Sequence, residues 1–405
     1  MRDGRTATLL TNLALLSAGI ISSALAARVL GPTGRGDYVT WQTWAATIGV
    51  LALGGLPQVL VLDDWTLQRH RLVEIVAPLT VSLGLALVVA AGVSMTLQRD
   101  LVLMTAFILI VAATQCGAVG AVEAQRMGRM GVEFNAARAV PAVAGLLAMS
   151  ALLLTGSSSA AVWLVTVGGL QAVAAIVWLV ATAERRWPKR TPVRRTLVDS
   201  ALLAPGNAVT MLQYRFDLLA VAAIYPPETV AFYATGVAAQ TAVLAAGQAH
   251  GMLWFNRRAE HADHHAKLRA ELYKTAATAA SIAAVLATTS GLWVQWVYGS
   301  AFLPAVPVVV VLCGVGVVQS LDYLLAHECL LVGRGGRVPL YRLSSLAVLA
   351  VGFAVAVANS WPPAVIAILP GIGYALSSAV LLRVARSAKN HHPVPSAAVS
   401  DGSVA

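Results

Sequence analysis

The sequence predicts an all-α integral membrane protein of about twelve transmembrane helices, arranged as two parallel six-helix repeats. Three observations predict it. Hydrophobic residues make up 58% of the 405 positions and charged residues only 11%, well below the roughly 25% charge of a soluble domain. Windows of about 20 apolar residues, enough to cross about 30 Å of hydrocarbon, recur along the whole chain. Finally, Leu30-Gly31-Pro32-Thr33-Gly34-Arg35-Gly36-Asp37-Tyr38-Val39-Thr40 is echoed in the second half by Tyr225-Pro226-Pro227-Glu228-Thr229-Val230-Ala231-Phe232-Tyr233-Ala234-Thr235. In register, Pro32 falls on Pro227, Tyr38 on Tyr233 and Thr40 on Thr235, the mark of a duplicated bundle.

The spans follow in order: 8–28, 38–62, 73–96, 101–122, 136–155 and 160–182, then 198–224, 228–255, 276–297, 304–327, 338–360 and 362–384. The first follows Arg2 and Arg5, and Ala24-Leu25-Ala26 looks like a signal-peptide cleavage site. No secreted domain follows and another apolar span begins shortly after, so this segment reads as a span. Gly31, Gly34 and Gly36 let the chain turn tightly into the second span. Residues 184–197, strongly basic and containing Pro188 and Pro192, separate two six-span halves. Because six is even, both halves enter the membrane in the same sense. The expected organisation is an N-terminal lobe (1–183), a basic cytoplasmic linker (184–197), a C-terminal lobe (198–386) and a polar, disordered tail (387–405).

Loop charge sets the orientation. Arg69, Arg71, Arg126, Arg129, Arg185, Arg186, Lys189, Arg190, Arg257, Arg258, Arg334, Arg337, Arg342 and Arg383 fall on one side. Little more than Arg28, Arg35 and Arg99 falls on the other. The basic side is cytoplasmic, which places both termini inside. The net charge of +10 therefore reports topology and attraction to anionic lipid, with no nucleic-acid partner implied. All ten tryptophans fall at or near predicted span ends, as interfacial indoles should. Cys116, Cys313 and Cys329 read as small core residues.

Charges inside spans are costly, so by default each faces a cavity or a partner. Arg215 and Asp217 lie about 10–15 Å from the outer end of the seventh span. At i and i+2 they cannot pair with each other, which leaves two readings: a structural ion pair to another helix, or Arg215 on a substrate phosphate with Asp217 as a proton or cation site. Asp322 could carry a proton, while His327 and Glu328 read as solvated interfacial groups. His250 is either a charge switch near neutral pH or a hydrogen-bonded core histidine. Arg28 and Arg35 flank the first turn and read as rim arginines, with Arg28 a candidate for attracting an anionic headgroup. Tyr38 and Tyr233 read as interfacial anchors. Asn12, Gln42, Gln58, Gln115, Asn207, Gln213, Gln240, Gln248 and Gln319 either line a polar cavity or bond between helices. His261, His264 and His265 have helical metal-ligand spacing but no companion motif, so no metal site is expected. No phosphate-binding glycine loop, nucleophile elbow or zinc motif occurs, so neither a cofactor nor enzymatic activity is expected.

The run Ala27-Arg28-Val29-Leu30-Gly31-Pro32-Thr33-Gly34-Arg35-Gly36-Asp37-Tyr38 resembles the signature of the polysaccharide-biosynthesis flippases of the multidrug/oligosaccharidyl-lipid/polysaccharide exporter superfamily. The stretch Leu212-Gln213-Tyr214-Arg215-Phe216-Asp217 through Tyr233, the stretch from His250 to Arg258, and Gly333-Arg334 are similar to later parts of that family's pattern. The resemblance implies two lobes around a central cavity, alternating access, and a place in the bacterial inner membrane. It implies movement of polyprenyl-pyrophosphate-linked oligosaccharide between leaflets, with membrane lipids and the pathway's polysaccharide polymerase and glycosyltransferases as partners. Candidate substrate-binding residues are then Arg215, Arg28, Gln213, Asn207 and Gln42, and candidate ion-coupling residues are Asp217, Asp322 and His250. A cation-coupled drug exporter of the same fold would favour an acidic, aromatic-rich cavity, whereas aromatic residues here are 6%. A membrane glycosyltransferase or polymerase would need carboxylates on a sizeable outer loop, and the expected outer loops are short.

Overall fold

The computed structural model describes residues 2–62, 78–86, 88, 101–126, 132–182, 193–260 and 268–387. Among these the chain is helical with no strand. α1 (Arg2–Leu53), α2 (Leu56–Leu62), α3 (Leu101–Arg126), α4 (Val132–Thr155), α5 (Ala160–Thr182), α6 (Val193–Ile224) and α7 (Pro227–Glu260) come first. α8 (Leu268–Thr288), α9 (Ser290–Tyr298), a 3-10 turn (Ser300–Ala305), α10 (Val306–Leu331), α11 (Val338–Ala358), α12 (Pro363–Ile366) and α13 (Leu369–Ser387) follow. Most of the expected third span, most of the linker, the three clustered histidines and the tail lie outside the described residues.

Eight described helical stretches are long and apolar enough to cross a membrane, and a bent pair adds a ninth. The stretch Ala14–Leu53 is 40 residues long, about 60 Å of helix, or twice the hydrocarbon thickness. It is two spans joined at Gly31, whose φ of 66° and ψ of −175° break the helical path just before Pro32. The expected loop between the first two spans is thus a kink, with helix resuming at once. α6, 32 residues long, is less apolar because Asn207, Gln213, Tyr214, Arg215 and Asp217 interrupt it.

Two other expected spans are broken. The second ends at Gly54, which takes φ +57°, and α2 starts afresh at Leu56. There Gly55 donates its N–H to Ser200 O at 3.0 Å. A Cβ on Gly55 would lie 2.7 Å from that same oxygen, so only glycine permits the approach of α6. The ninth span bends by 69° between α8 and α9.

By its contacts the chain falls into two compact units: Met1–Ala238 with Gly291–Val306, and Ala239–Ser290 with Pro307–Ala405. In the first, α3, α4 and α5 pack on α1 around Phe107, Ile110, Met149, Trp163, Leu164 and Val167. The opposite face is apolar too: Leu101 and Leu154 are 80% and 88% exposed, the signature of helices solvated by lipid. Trp163, expected at an interface, is fully buried and donates Nε1–H to Ser157 O at 2.8 Å.

In the second unit Leu325, Cys329, Val338 and Leu381 form the core of α10, α11 and α13. Several polar groups there bond to one another between helices, as hydrocarbon favours. Gln240 donates to Gln319, and Gln319 donates to Tyr374 OH, at 3.0 and 2.9 Å. Glu328, expected to be solvated, is buried and accepts from Trp254 Nε1 at 3.0 Å. Arg342, expected in a basic loop, is buried instead and reaches Asp322 Oδ2 at 2.9 Å.

Candidate substrate cavity

The two copies of the proline turn meet each other within the first unit. Thr33 and Glu228, equivalent positions 195 residues apart, share a hydrogen bond in which Thr33 Oγ1 donates to Glu228 Oε1 at 2.8 Å. The contact thus joins equivalent positions of the two copies of the turn. Gly36 abuts Pro227 so closely that an added Cβ would overlap the Pro227 carbonyl and sit 2.7 Å from Pro227 Cα. Pro227 opens α7, where its missing N–H costs no hydrogen bond.

Arg35 sits inside this junction and is only 1% exposed. The sequence suggested a rim arginine reaching toward water, and the structure corrects that. Nη1 donates to Ala231 O at 3.2 Å and to Thr235 Oγ1 at 2.6 Å, and Nη2 donates to Ser23 Oγ at 2.7 Å. Its guanidinium carbon lies 4.6 Å from the Tyr298 ring centre and 5.1 Å from that of Phe302. Those rings lie 5.8 Å apart, tilted by 44°, and Phe232 meets Phe302 edge-on at 5.9 Å. The aromatic faces stabilise the charge by on the order of 2 kcal/mol when water is excluded. Among the described residues no carboxylate pairs with Arg35, and its Nε has no hydrogen-bond acceptor.

Arg35 also forms part of the wall of a cavity of about 240 Å³ between α1, α4 and α5. Its polar wall consists of Ser22, Ser23, Arg35, Tyr38, Gln42 and Gln171. Among the described residues no acidic side chain lines it. Tyr38, expected as an interfacial anchor, is buried and turned to this cavity. Its repeat counterpart Tyr233, expected in the same role, is fully buried and donates its hydroxyl to Asp217 Oδ2 at 3.0 Å.

The other sequence candidates are spread more widely. Gln42 lines the cavity. Arg28 is exposed, donating from Nε to Val297 O at 3.0 Å and from Nη2 to Trp296 O, so it caps the carbonyl end of α9 as basic side chains do at helix C-termini. Asn207 donates to Gly54 O at 2.7 Å and accepts from Gln58 at 3.3 Å, holding α6 to the break between α1 and α2. Gln213 is buried on α6, whereas Arg215 is exposed on it. Gln115 is buried, donating to Ser82 Oγ at 2.8 Å. Asp322 is paired with Arg342, and His250 is half-buried on α7. Arg35 carried one sequence signal: its counterpart in the second copy is Val230, which is fully buried, so the repeat register marks position 35 as inward-facing.

Tyr233→Phe keeps the ring and removes the donor to Asp217. Leaving that buried carboxylate short of a partner is expected to cost about 1–3 kcal/mol, read as a lower unfolding temperature in detergent.

No protein-family profile matches the sequence, and no curated protein matches it significantly. Solved structures do. A eukaryotic MATE transporter superposes with a TM-score of 0.60 at 11% identity, covering 94% of this chain and 98% of that one. The inward-facing conformation of a multidrug resistance MATE family transporter of the MOP superfamily gives 0.53 at 12% identity, covering 94% and 97%. A MOP superfamily transporter from Pyrococcus furiosus, described as having a binding pocket of reverse polarity suggesting a different function, gives 0.50 at 16%, covering 95% and 92%. The likeness establishes the fold, an all-α, multi-pass membrane architecture shared with these proteins.

Proposed function

We propose that the protein is an alternating-access transporter that moves polyprenyl-pyrophosphate-linked oligosaccharide across a bacterial cytoplasmic membrane. The observation that carries this reading is the polar part of the first-unit cavity's wall, where hydroxyls, amides and one guanidinium stand among apolar residues, with no carboxylate among the described residues. Hydroxyl and amide groups donate and accept, matching sugar hydroxyls of varied stereochemistry. A buried cation repels a cationic drug and attracts a phosphate. At about 240 Å³ the cavity is smaller than the roughly 300–1,000 Å³ that takes a drug-sized molecule, so it suits the headgroup region next to the lipid. The polyprenyl tail stays in hydrocarbon. The fold supports transport, and the P. furiosus relative is described as another MOP transporter of reversed pocket polarity.

Cation-coupled drug export is the second reading. It is favoured by the buried Asp217 on α6 and by the multidrug transporters that share the fold. Reconstituted vesicles separate the two. Fluorescent polyprenyl-pyrophosphate oligosaccharide is expected to become accessible to an impermeant quencher only when the protein is present. Unchanged lipid accessibility together with proton- or sodium-driven uptake of a cationic dye would replace the flippase by the exporter.

A further inference from the structure

The guanidinium of Arg35 has five N–H donors; three run to Ala231, Thr235 and Ser23, and Tyr298 is a further hydrogen-bond partner of the group. The donor on Nε has no acceptor among the described residues. A buried charge without a counter-charge is strongly destabilising unless something else compensates it, and the two aromatic rings do so only in part. The same side chain lines a cavity whose remaining polar groups are neutral. An arginine fork in that position matches an oxyanion, which can take two parallel N–H bonds.

The engaged donors matter as much. Those on Nη1 run to Ala231 O and Thr235 Oγ1 in the second copy of the turn, while Ser23 belongs to the first half of α1. Arg35 therefore ties the two turns together through one charged group, at a junction already sealed by Gly36 against Pro227.

We infer that Arg35 is both the anion subsite of the cavity and the tie between the two proline turns, so that a phosphate or pyrophosphate oxygen entering the cavity competes with Thr235 and Ala231 for its donors. This rests on the reading of the cavity as a headgroup site and adds the residue that takes the charge. Binding of the anion draws the guanidinium toward the cavity and loosens the seam between the turns. Substrate arrival and release of the junction thereby share one side chain. The ligand chemistry is a phosphate oxyanion, whether on a lipid or free in solution.

The test uses full-length protein in detergent micelles, with inorganic pyrophosphate and farnesyl pyrophosphate as probes and farnesol as the uncharged control. Binding is read by microscale thermophoresis and by the shift in unfolding temperature. Both pyrophosphates are expected to bind and farnesol is not, with Arg35→Gln weakening binding by about tenfold or more. Thr235→Val removes a competing acceptor at nearly constant volume, so it is expected to tighten binding by about threefold, the worth of a modest hydrogen bond. A purely structural Arg35 predicts no such gain. Where Arg35→Gln fails to fold, Thr235→Val alone decides the matter. The inference is overturned if neither anion binds, if folded Arg35→Gln binds both as the parent does, or if Thr235→Val leaves affinity unchanged or weaker. Binding of inorganic pyrophosphate through Arg35 without farnesyl pyrophosphate upholds the subsite and removes the lipid-headgroup function, so the two failures are distinguishable.

Discussion

Gly36→Ala is expected to destabilise the protein by about 3 kcal/mol or more, the upper range of overpacking costs. The new Cβ would overlap the carbonyl of Pro227, and its other near neighbours are also Pro227 backbone atoms. No flexible side chain is available to swing aside, so the turn or the start of α7 must move. Moving either separates Thr33 from Glu228 and strips Arg35 of Ala231 and Thr235. Gly117→Ala is the matched comparison, since nothing lies within 4 Å of a Cβ there. It is expected to be neutral or to stabilise by up to about 1 kcal/mol through helix propensity. Thermal unfolding of the two variants in the same detergent reads the difference. Equal unfolding temperatures would mean that the two turns are not in contact.

Arg342→Met is expected to cost about 3–5 kcal/mol, because it leaves Asp322, fully buried on α10, without the cation that faces it at 2.9 Å. Asp322→Leu alone is expected to cost about as much, because buried Arg342 loses the carboxylate that pairs with it. The pair replaced together by Leu and Met should recover most of the loss, since an apolar pair incurs no desolvation penalty. A double-mutant cycle on unfolding temperature measures the coupling. Additive losses in the double variant would show that the two charges do not depend on each other. Transport measured on the stable double variant also asks whether Asp322 has any ion-coupling role, because an apolar pair carries no proton.

Much of the architecture was legible from the residues. Lipid-solvated helices must be apolar over about 20 residues whatever they pack against, so composition and spacing alone specify a polytopic helical membrane protein. The duplicated proline turn was legible as well, since Pro32 and Pro227 carry their conformational constraint in the residue itself. Breaks inside spans were harder. Gly54 is one glycine among 33, and only the approach of Ser200 and Ala204 on α6 explains why the helix gives way there. The bend between α8 and α9 has no proline to announce it.

The candidate site divides along the same line. Gln42 was recognised as a polar residue inside a span, and it does line the cavity. Arg35 was read as a rim residue because seven residues earlier Arg28 sits at the same outer end, and the two look alike in sequence. What separates them is what covers each. Arg28 finds exposed carbonyls at the end of α9, whereas Arg35 lies beneath Tyr298 and Phe302 and against Thr235. Glu328, Arg342, Tyr38 and Tyr233 were displaced from interface to interior for the same reason.

The sequence by itself determined that this chain is a duplicated, helical, multi-pass membrane protein, because hydrocarbon imposes its cost on each segment separately and every segment must meet it with its own residues. Only the tertiary structure decided which charges are paired, which are sealed under aromatic rings and which face a cavity. The aromatic rings that cover Arg35 lie more than 200 positions away in the chain, and their approach is written in no local pattern.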